Sequence, residues 1–334
     1  MSSESMKPDP TRAVQANNIA TPSPDAISRA VELLRAGQVI GLPTETVYGL
    51  AGDGLNPTAL ARIFEVKQRP LYDPLILHFA DAAGAFDLAA QIPIAARELA
   101  HRFWPGPLTL VIRKTDRVPD LATSGLPNVA LRVPAHPVAQ ALLRAFGGPL
   151  AAPSANRFGR ISPTDAQAVR AELGEAVPLI LDGGPCAVGL ESTVLFLSEH
   201  KPVLLRAGGI PLEEIEALIG PIEHATPVDD RPQAPGQLKH HYAPRKPLRL
   251  VQNFAEIPAQ SNVGWLAFGP QSAPFLGVVE NLSATSDLRE AAANFFRALR
   301  SLDENPQVET LYAMPLPARG LGLAINERLE RASA

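Results

Sequence analysis

The sequence predicts an α/β protein with two domains. Short apolar runs typical of buried strands alternate with helical patterns along most of the chain, as in sheets whose strands are connected by helices. With 334 residues, the chain is too long for one ordinary core. The alternation stops over residues 221–247, where prolines recur. Because we find no apolar face that this segment could bury, we expect a linker there.

These observations divide the chain into four parts. We expect a loose N-terminal extension at 1–22, a first α/β domain at 23–220, the linker at 221–247 and a smaller α/β domain at 248–334. Strands that alternate with helices in the last part favour a parallel sheet.

The first helix and strand precede a short polar segment. Residues 24–36 have helical apolar spacing, and Gly37 ends that helix. Residues 39–42 are typical of a buried strand, which Pro43 ends because proline has no amide hydrogen. Residues 44–46 then carry three polar side chains just past the strand, where ligands of α/β sheets usually bind.

The second helix ends at a pair of cations. Asn56 can cap a helix that has Pro57 at its first position. Pro70 excludes helical geometry for Arg69, so the helix ends near that residue. Lys67 and Arg69 are therefore held together at the helix exit.

The remaining strands and helices are predicted in the same way, from apolar runs typical of strands and from apolar spacing typical of helices. We predict strands at 74–79, 108–112, 129–133, 150–153, 179–181, 192–197, 203–206, 248–251, 263–268 and 310–314. We predict helices at 94–103, 137–146, 165–173, 211–219, 287–302 and 320–331. The strands at 192–197 and 203–206 are expected to pair as a hairpin.

Composition and charge exclude several classes of protein. The net charge of −4 does not indicate a nucleic-acid-binding surface, so any anion site must be a local pocket. A single cysteine, Cys186, excludes an internal disulfide and a cysteine-based zinc cluster. The sequence has neither an apolar run of about 18 residues nor a signal-peptide core. We expect a cytoplasmic protein without a membrane span.

Common catalytic signatures are missing, and scattered cations and hydroxyls remain. The sequence contains no GxxxxGK[ST], GxGxxG, HExxH or GxSxG motif, and its histidines lack metal-ligand spacing. Cationic and hydroxyl or amide side chains instead stand at the ends of apolar elements, namely Lys67, Arg69, Arg132, Ser154, Asn156, Ser162, Ser192, Thr193 and Arg206. If they converge on one concavity, they suit a polyphosphate.

Each of these residues also has a structural explanation. Lys67 can complement a helix dipole, and Arg132, inside an apolar strand, can form a structural salt bridge. The segment 154–156 has the composition of a turn, Ser192 can simply begin a strand, and His78 can be a packed core histidine. Spacing alone leaves both explanations open.

Ordered motifs add a resemblance to a known family. The KQR and SAN segments resemble the KxR…SxN signature of threonylcarbamoyl-AMP synthases, the YrdC-like family. Further motifs follow the family's order, namely PTETVYGL (43–50), KQRP (67–70), PLILH (74–78), WPGPLTL (104–110), ALRVP (130–134), APSAN (152–156), SPT (162–164), ESTVL (191–195) and LLRAG (204–208). The resemblance covers about residues 25–220, and APGQLKHHYAP (234–244) resembles the linker of the long, two-domain form.

The resemblance implies a fold and a reaction. The implied fold is an open, twisted α/β YrdC-like domain with a cationic cavity, followed by a smaller Rossmann-like α/β domain. Family members are nucleotidyltransferases that join L-threonine, bicarbonate and ATP into threonylcarbamoyl-AMP and pyrophosphate. Their product serves threonylcarbamoyladenosine formation in tRNA, so tRNA or a tRNA-threonylcarbamoyl transferase complex is a possible partner. Mg²⁺ would be carried by the ATP phosphates rather than by a metal site of the protein.

The resemblance also implies a role for individual residues. Lys67 and Arg69 would be catalytic. The ATP site would comprise Lys67, Arg69, Asp73, Asn128, Ser154, Asn156, Ser162, Arg206 and His241. The threonine site would comprise Thr46, His78, Arg132, Ala152 and Ser192. The linker would supply a lid made of Lys239, His241 and Tyr242.

The sequence departs from the family pattern at three places. Asp73 replaces a common asparagine, so that an acceptor replaces an amide donor. Asn128 stands where a small hydroxyl is common, and residues 234–237 read APGQ instead of SPGM. None of these departures touches the KxR…SxN core.

Two other functions stay open at this point. A cationic concavity could hold double-stranded RNA or tRNA without catalysis, although the acidic net charge argues against it. Alternatively, the first domain could sense a nucleotide or an amino acid, and the second could carry the output.

Overall fold

A computed structural model describes residues 18–198, 201–225, 242–271 and 274–334. The expected lid residues Lys239 and His241, together with the APGQ segment, lie outside these ranges. None of the helices in the described ranges has the length and apolar character needed to cross a membrane.

The described residues form strands and helices that alternate as predicted. The strands are β1 (Ile19–Ala20), β2 (Ile40–Leu42), β3 (Gly49–Asp53), β4 (Ile76–His78), β5 (Leu108–Arg113), β6 (Asn128–Arg132), β7 (Leu150–Ala151), β8 (Ile180–Leu181), β9 (Thr193–Phe196), β10 (Val203–Arg206), β11 (Glu223–His224), β12 (Leu248–Leu250), β13 (Val263–Ala267), β14 (Val278–Asn281) and β15 (Thr310–Ala313). The helices are α1 (Pro24–Arg35), α2 (Pro57–Lys67), α3 (Ala82–Phe86), α4 (Ile94–Phe103), α5 (Asp120–Thr123), α6 (Pro137–Phe146), α7 (Ala166–Leu173), α8 (Leu212–Ile219), α9 (Leu288–Glu304) and α10 (Leu321–Ala332).

The larger sheet of the described residues mixes parallel and antiparallel neighbours. Its strand order is β1-β8-β2-β3-β7-β4-β6-β5-β9-β10-β11. The parallel pair β4 and β6 places His78 beside Arg132, each at the carboxyl end of its strand. The predicted hairpin is confirmed as the antiparallel pair β9 and β10.

The second sheet is parallel throughout its described strands, as the sequence predicts. Its order is β12-β15-β13-β14. Helix α9 packs against β13 and β14 and also contacts α10. The prediction of a small α/β domain is therefore confirmed.

Capping residues give α2 its predicted ends. The Asn56 side chain accepts a hydrogen bond from the Thr58 amide at 2.9 Å, which satisfies one of the free donors of the first turn. At the other end, Gln68 adopts a left-handed conformation with φ of 53°. This residue turns the chain so that Arg69 leaves the helix toward the sheet.

Four strands differ from the sequence-based expectation. Strand β3 was not predicted because its sequence, GLAGD, contains residues that strands disfavour, and β14 was also missed. Strand β1 pairs with β8 inside the expected N-terminal extension, and β11 pairs with β10 inside the expected linker. Backbone pairing at a sheet edge needs few apolar side chains, so periodicity does not reveal it.

One apolar core runs through both domains. It includes Leu190 and Ile210, which precede the predicted linker, and Phe296 and Ile325, which follow it. Tyr242 belongs to the same core and is buried. The expectation that residues 221–247 bury no apolar face is therefore wrong at Ile222 and Tyr242, because isolated apolar side chains can pack without any surrounding periodicity.

Candidate active site

A cavity opens where several strands of the larger sheet end. Nine predicted residues line it, namely Thr46, Arg69, His78, Ala152, Arg132, Ser154, Ser192, Arg206 and Tyr242. Four residues that were not predicted also line it, namely Val47, Ile76, Pro153 and Glu191. The structure thus brings together side chains as far apart in the sequence as Thr46 and Tyr242.

Arg69 is held at the cavity by backbone carbonyls and one carboxylate. Its guanidinium donates to the Asp73 carbonyl at 3.0 Å and to the Pro74 carbonyl at 2.8 Å. The same group lies 2.8 Å from the Asp73 carboxylate. Burial raises the pKa of Asp73, although nearby Arg69, Lys67 and Arg206 act in the opposite direction. Asp73 therefore offsets part of the positive charge around the cavity.

Lys67 lies behind the cavity wall rather than in it. Its ammonium group donates to the carbonyls of Ser154 and Asn156, the latter at 2.7 Å. Burial lowers the pKa of Lys67 well below its usual value, and neighbouring Arg69 lowers it further. Lys67 thus fixes the backbone of the 154–156 segment, which carries Ser154 to the cavity.

Asn156 also acts on backbone groups. Its side-chain amide donates to the carbonyls of Arg157 at 2.9 Å and Arg160 at 2.8 Å. Asn156 is buried and does not line the cavity. Hydrogen bonds from Lys67 and from Asn156 itself therefore fix the backbone in and after the SAN segment. Ser154 is the residue of this segment whose side chain lines the cavity.

Arg206 and Ser192 form a hydrogen-bonded group that also lines the cavity. The Arg206 guanidinium donates to the Ser192 carbonyl at 2.9 Å and to its hydroxyl at 3.2 Å. The Ser192 hydroxyl also shares a 2.7 Å hydrogen bond with Thr109 on β5. Since β5 and β9 are parallel neighbours, the sheet itself fixes the position of this pair.

Arg132 both forms a salt bridge and lines the cavity. The structural and the functional explanation that the sequence left open for this residue therefore both apply. Its Nη2 lies 2.7 Å from Glu45 Oε1, and its Nε donates to the Gly106 carbonyl at 3.3 Å. The other Glu45 oxygen accepts from the Ala135 amide at 3.0 Å. Glu45 therefore orients the guanidinium and ties the segment after β2 to the end of β6.

Thr46 presents an acceptor to the cavity. The Thr44 hydroxyl donates to the Val47 carbonyl at 2.6 Å, and the two threonine hydroxyls lie 2.8 Å apart. Because a hydroxyl has one proton, Thr46 must be the donor to Thr44. The Thr46 oxygen can therefore only accept a further hydrogen bond, which suits an ammonium or amine group in the cavity.

His78 is neutral at ordinary pH. Burial, followed by the charge of Arg132, lowers the pKa of His78 to about 3. Its Nδ1 lies 3.1 Å from the Ile76 carbonyl, so that nitrogen carries the proton. A neutral imidazole beside Arg132 avoids adding a further cation at this end of the cavity.

Glu191 connects the cavity to a residue that does not line it. The Ser162 hydroxyl donates to Glu191 Oε1 at 2.6 Å, and Arg328 of α10 donates to Glu191 Oε2 at 3.0 Å. The sequence contained one signal for Glu191, its place before Ser192 in the ESTVL motif. It contained none for Arg328, which is 137 residues further along the chain.

Other predicted residues lie away from the cavity or outside the described ranges. Asn128 begins β6, opposite Arg113 and four residues before Arg132, and it does not line the cavity. Tyr242, by contrast, lines the cavity and packs against Phe296 with ring centres 5.5 Å apart. Among the described residues, no three His, Cys, Asp or Glu side chains are grouped so that they could hold a metal.

Two known protein families match consecutive segments of the chain. Residues 32–208 match the Sua5/YciO/YrdC family, whose description is "Telomere recombination". Residues 210–334 match the family described as "Threonylcarbamoyl-AMP synthase, C-terminal domain".

Relatives of similar length match nearly the whole chain. The threonylcarbamoyl-AMP synthase of Bacillus subtilis (strain 168) is 42% identical over 92% of each chain. That of Pyrococcus abyssi is 41% identical over 91% of this chain and 93% of its own. The crystal structure of P. abyssi Sua5 complexed with L-threonine superposes with a TM-score of 0.86 at 39% identity, covering 94% of this chain and 96% of the other.

Proposed function

The chain belongs to the threonylcarbamoyl-AMP synthase family, and we propose that it makes threonylcarbamoyl-AMP and pyrophosphate from ATP, L-threonine and bicarbonate. One observation carries this assignment. Three arginines and three hydroxyl side chains of the family motifs, which are scattered along the sequence, line a single cavity, namely Arg69, Arg132, Arg206, Thr46, Ser154 and Ser192. An enzyme of the nucleotidyltransferase kind needs such a site because its substrate carries several negative charges.

We assign the phosphates of ATP to the side of the cavity with Arg69, Ser154 and Arg206. Guanidinium groups and a hydroxyl are suitable donors to phosphate oxygens. Lys67, Asn156 and Ser162 would contribute by holding these donors in place. Their support comes from the contacts of Lys67 with the 154–156 backbone, of Asn156 with the carbonyls of Arg157 and Arg160, and of Ser162 with Glu191. Asn128 would have at most a peripheral role in this site.

We assign threonine to the end of the cavity with Thr46, His78, Arg132 and Ser192. The Arg132 guanidinium, oriented by Glu45, suits the carboxylate of the amino acid. The Thr46 oxygen can accept from its amine. Ala152 lines the cavity beside them, and as a small side chain it leaves space for the substrate.

The reaction would proceed mainly through positioning and charge stabilisation. The amine of threonine and bicarbonate form a carbamate and release water. A carbamate oxygen then attacks the α-phosphate, a new P–O bond forms, and the bond to pyrophosphate breaks. Arg69 and Arg206 would stabilise the charge that develops on the α-phosphate and on the leaving group.

The metal, the lid and the macromolecular partner are further parts of the proposal. Mg²⁺ would bind phosphate oxygens and offset their charge. Tyr242 would close the cavity together with Lys239 and His241, and its place in the lining supports this role. We expect the product to pass to a tRNA-modifying enzyme.

The test is a comparison of amino acids. Purified protein is incubated with ATP, Mg²⁺, bicarbonate and each amino acid in turn, and pyrophosphate is measured. We expect release with threonine and bicarbonate together. Equal release with all amino acids, or binding of ATP without any pyrophosphate, would contradict the proposed function.

A further inference from the structure

One arginine of the C-terminal domain reaches the edge of the cavity. Arg328 lies on α10 and is only 1% exposed. Its guanidinium donates from Nε to Glu191 Oε2 at 3.0 Å and from Nη1 to the Ala207 carbonyl at 2.7 Å. Its Cζ also lies 5.6 Å from the centre of the Tyr242 ring. Arg328 therefore contacts three separate segments around the cavity.

Glu191 is the member of this group that faces the cavity. It lines the open space, and its second oxygen accepts the Ser162 hydroxyl at 2.6 Å. The three side chains form a buried series in which Arg328 binds Glu191 and Glu191 orients Ser162. The positions of Glu191 and Ser162 thus depend on a residue from the other domain.

Charge explains why this series matters for a nucleotide. A carboxylate in the wall of a cavity repels a bound triphosphate, and the repulsion is strong where water is excluded. The guanidinium of Arg328 offsets the charge of Glu191 at a hydrogen-bonded distance. Without it, the negative charge of the buried Glu191 would be offset less beside the proposed ATP site, although Arg206 would still act on it.

We propose that Arg328 is a positioning residue through which the C-terminal domain completes the ATP site. It neutralises Glu191 and holds that carboxylate where it orients Ser162. This inference rests on the proposed function, because the ligand that senses the charge is ATP. It gives the second domain a defined part in synthesis, separate from any lid.

The test compares ATP affinity, measured by calorimetry without threonine, in wild type and three variants. Arg328→Met should raise the Kd for ATP about tenfold or more. The double variant Glu191→Gln/Arg328→Met should bind ATP within about threefold of wild type, because the excess negative charge is gone and glutamine can still accept from Ser162. Glu191→Gln alone should bind ATP at least as tightly as wild type, since glutamine can still accept from Ser162.

A matched control separates this role from a general effect of losing an arginine salt bridge. Arg289 of α9 pairs with Glu214 of α8 at 3.3 Å, outside the cavity lining. Arg289→Met should leave the Kd for ATP unchanged. Melting temperatures of all variants report the structural contribution of each contact.

Three results would overturn the proposal. Unchanged ATP affinity in Arg328→Met is the first, and a double variant that binds as weakly as Arg328→Met is the second. If Arg328→Met does not fold, a tenfold weaker affinity in Glu191→Gln is the third. A wild-type protein that binds ATP but releases no pyrophosphate with threonine would contradict the proposed function instead, while the affinity comparison would still test Arg328.

Discussion

Arg69 Nη2 lies 2.8 Å from Asp73 Oδ2, and both side chains are buried. The hydrogen bonds of the guanidinium go to backbone carbonyls, and neither Asp73 carboxylate oxygen has a hydrogen-bond partner in the described part of the chain. The two groups are therefore coupled mainly through charge. An incoming phosphate group would compete with Asp73 for the same cation.

Replacing Arg69 with alanine should weaken ATP binding. We expect the Kd for ATP to rise about 10–100-fold, from the loss of a charge-assisted contact. Arg117→Ala, which removes an exposed cation paired with Asp87, is the control and should bind like wild type. Unchanged affinity and turnover in Arg69→Ala would remove this residue from the site.

Replacing Asp73 with asparagine should act in the opposite direction. The change removes a negative charge from among Arg69, Lys67 and Arg206, so the cavity becomes more cationic. We expect the Kd for ATP to fall about threefold to tenfold, and the free protein to melt at a lower temperature. Calorimetry and thermal unfolding measure the two effects, and weaker ATP binding at an unchanged melting temperature would refute the competition.

Lys67 should be needed for the structure of the 154–156 segment. Lys67→Met leaves the carbonyls of Ser154 and Asn156 without their donor, which should cost about 2–4 kcal/mol in the free energy of unfolding. Lys67→Arg should recover little of this loss, because a planar guanidinium cannot replace a compact ammonium in a closed space. Urea unfolding measures both variants. Stability equal to wild type in Lys67→Met would show that the segment is held by other contacts.

His78 should contribute to the pH dependence of stability. Its pKa is about 3 in the folded protein and about 6.5 when unfolded, so below pH 6.5 the unfolded chain binds one more proton. The stabilisation is complete above pH 6.5 and is lost as the pH falls toward 3. The slope should be about 1.4 kcal/mol per pH unit for this proton.

The variant His78→Gln isolates that contribution. Between about pH 4.5 and 5.5, its free energy of unfolding should depend less steeply on pH than that of wild type. His101→Gln changes an exposed histidine on α4 and serves as the control. Identical slopes for wild type and His78→Gln would mean that His78 takes up a proton in the folded state.

Periodicity predicted the elements that bury a regular apolar face. Helix α4 has the predicted bounds, and α2 begins at its predicted cap because Asn56 and Pro57 specify a helix start locally. Strand β3 was missed because its glycines carry no side chain that could reveal burial. Backbone pairing with β2 and β7 stabilises it instead.

The residues of the candidate site that belong to sequence motifs could be predicted. Residues that join it through contacts between distant parts of the chain could not. For Arg132 the sequence left a salt bridge and a cavity as alternatives, and the structure contains both. The motif residues were assigned by resemblance, and periodicity alone would not have grouped them. Arg328 had no signal because its partner Glu191 is remote in sequence and its own helix reads as an ordinary amphipathic one.

The core shared by the two domains bears on how the protein loses its structure. Because Tyr242, Phe296 and Leu190 belong to one apolar cluster, separating the domains would expose this surface to water. The chain should thus behave as one cooperative unit. Its two tryptophans, Trp104 and Trp265, stand in different domains, so their fluorescence should report the same transition midpoint.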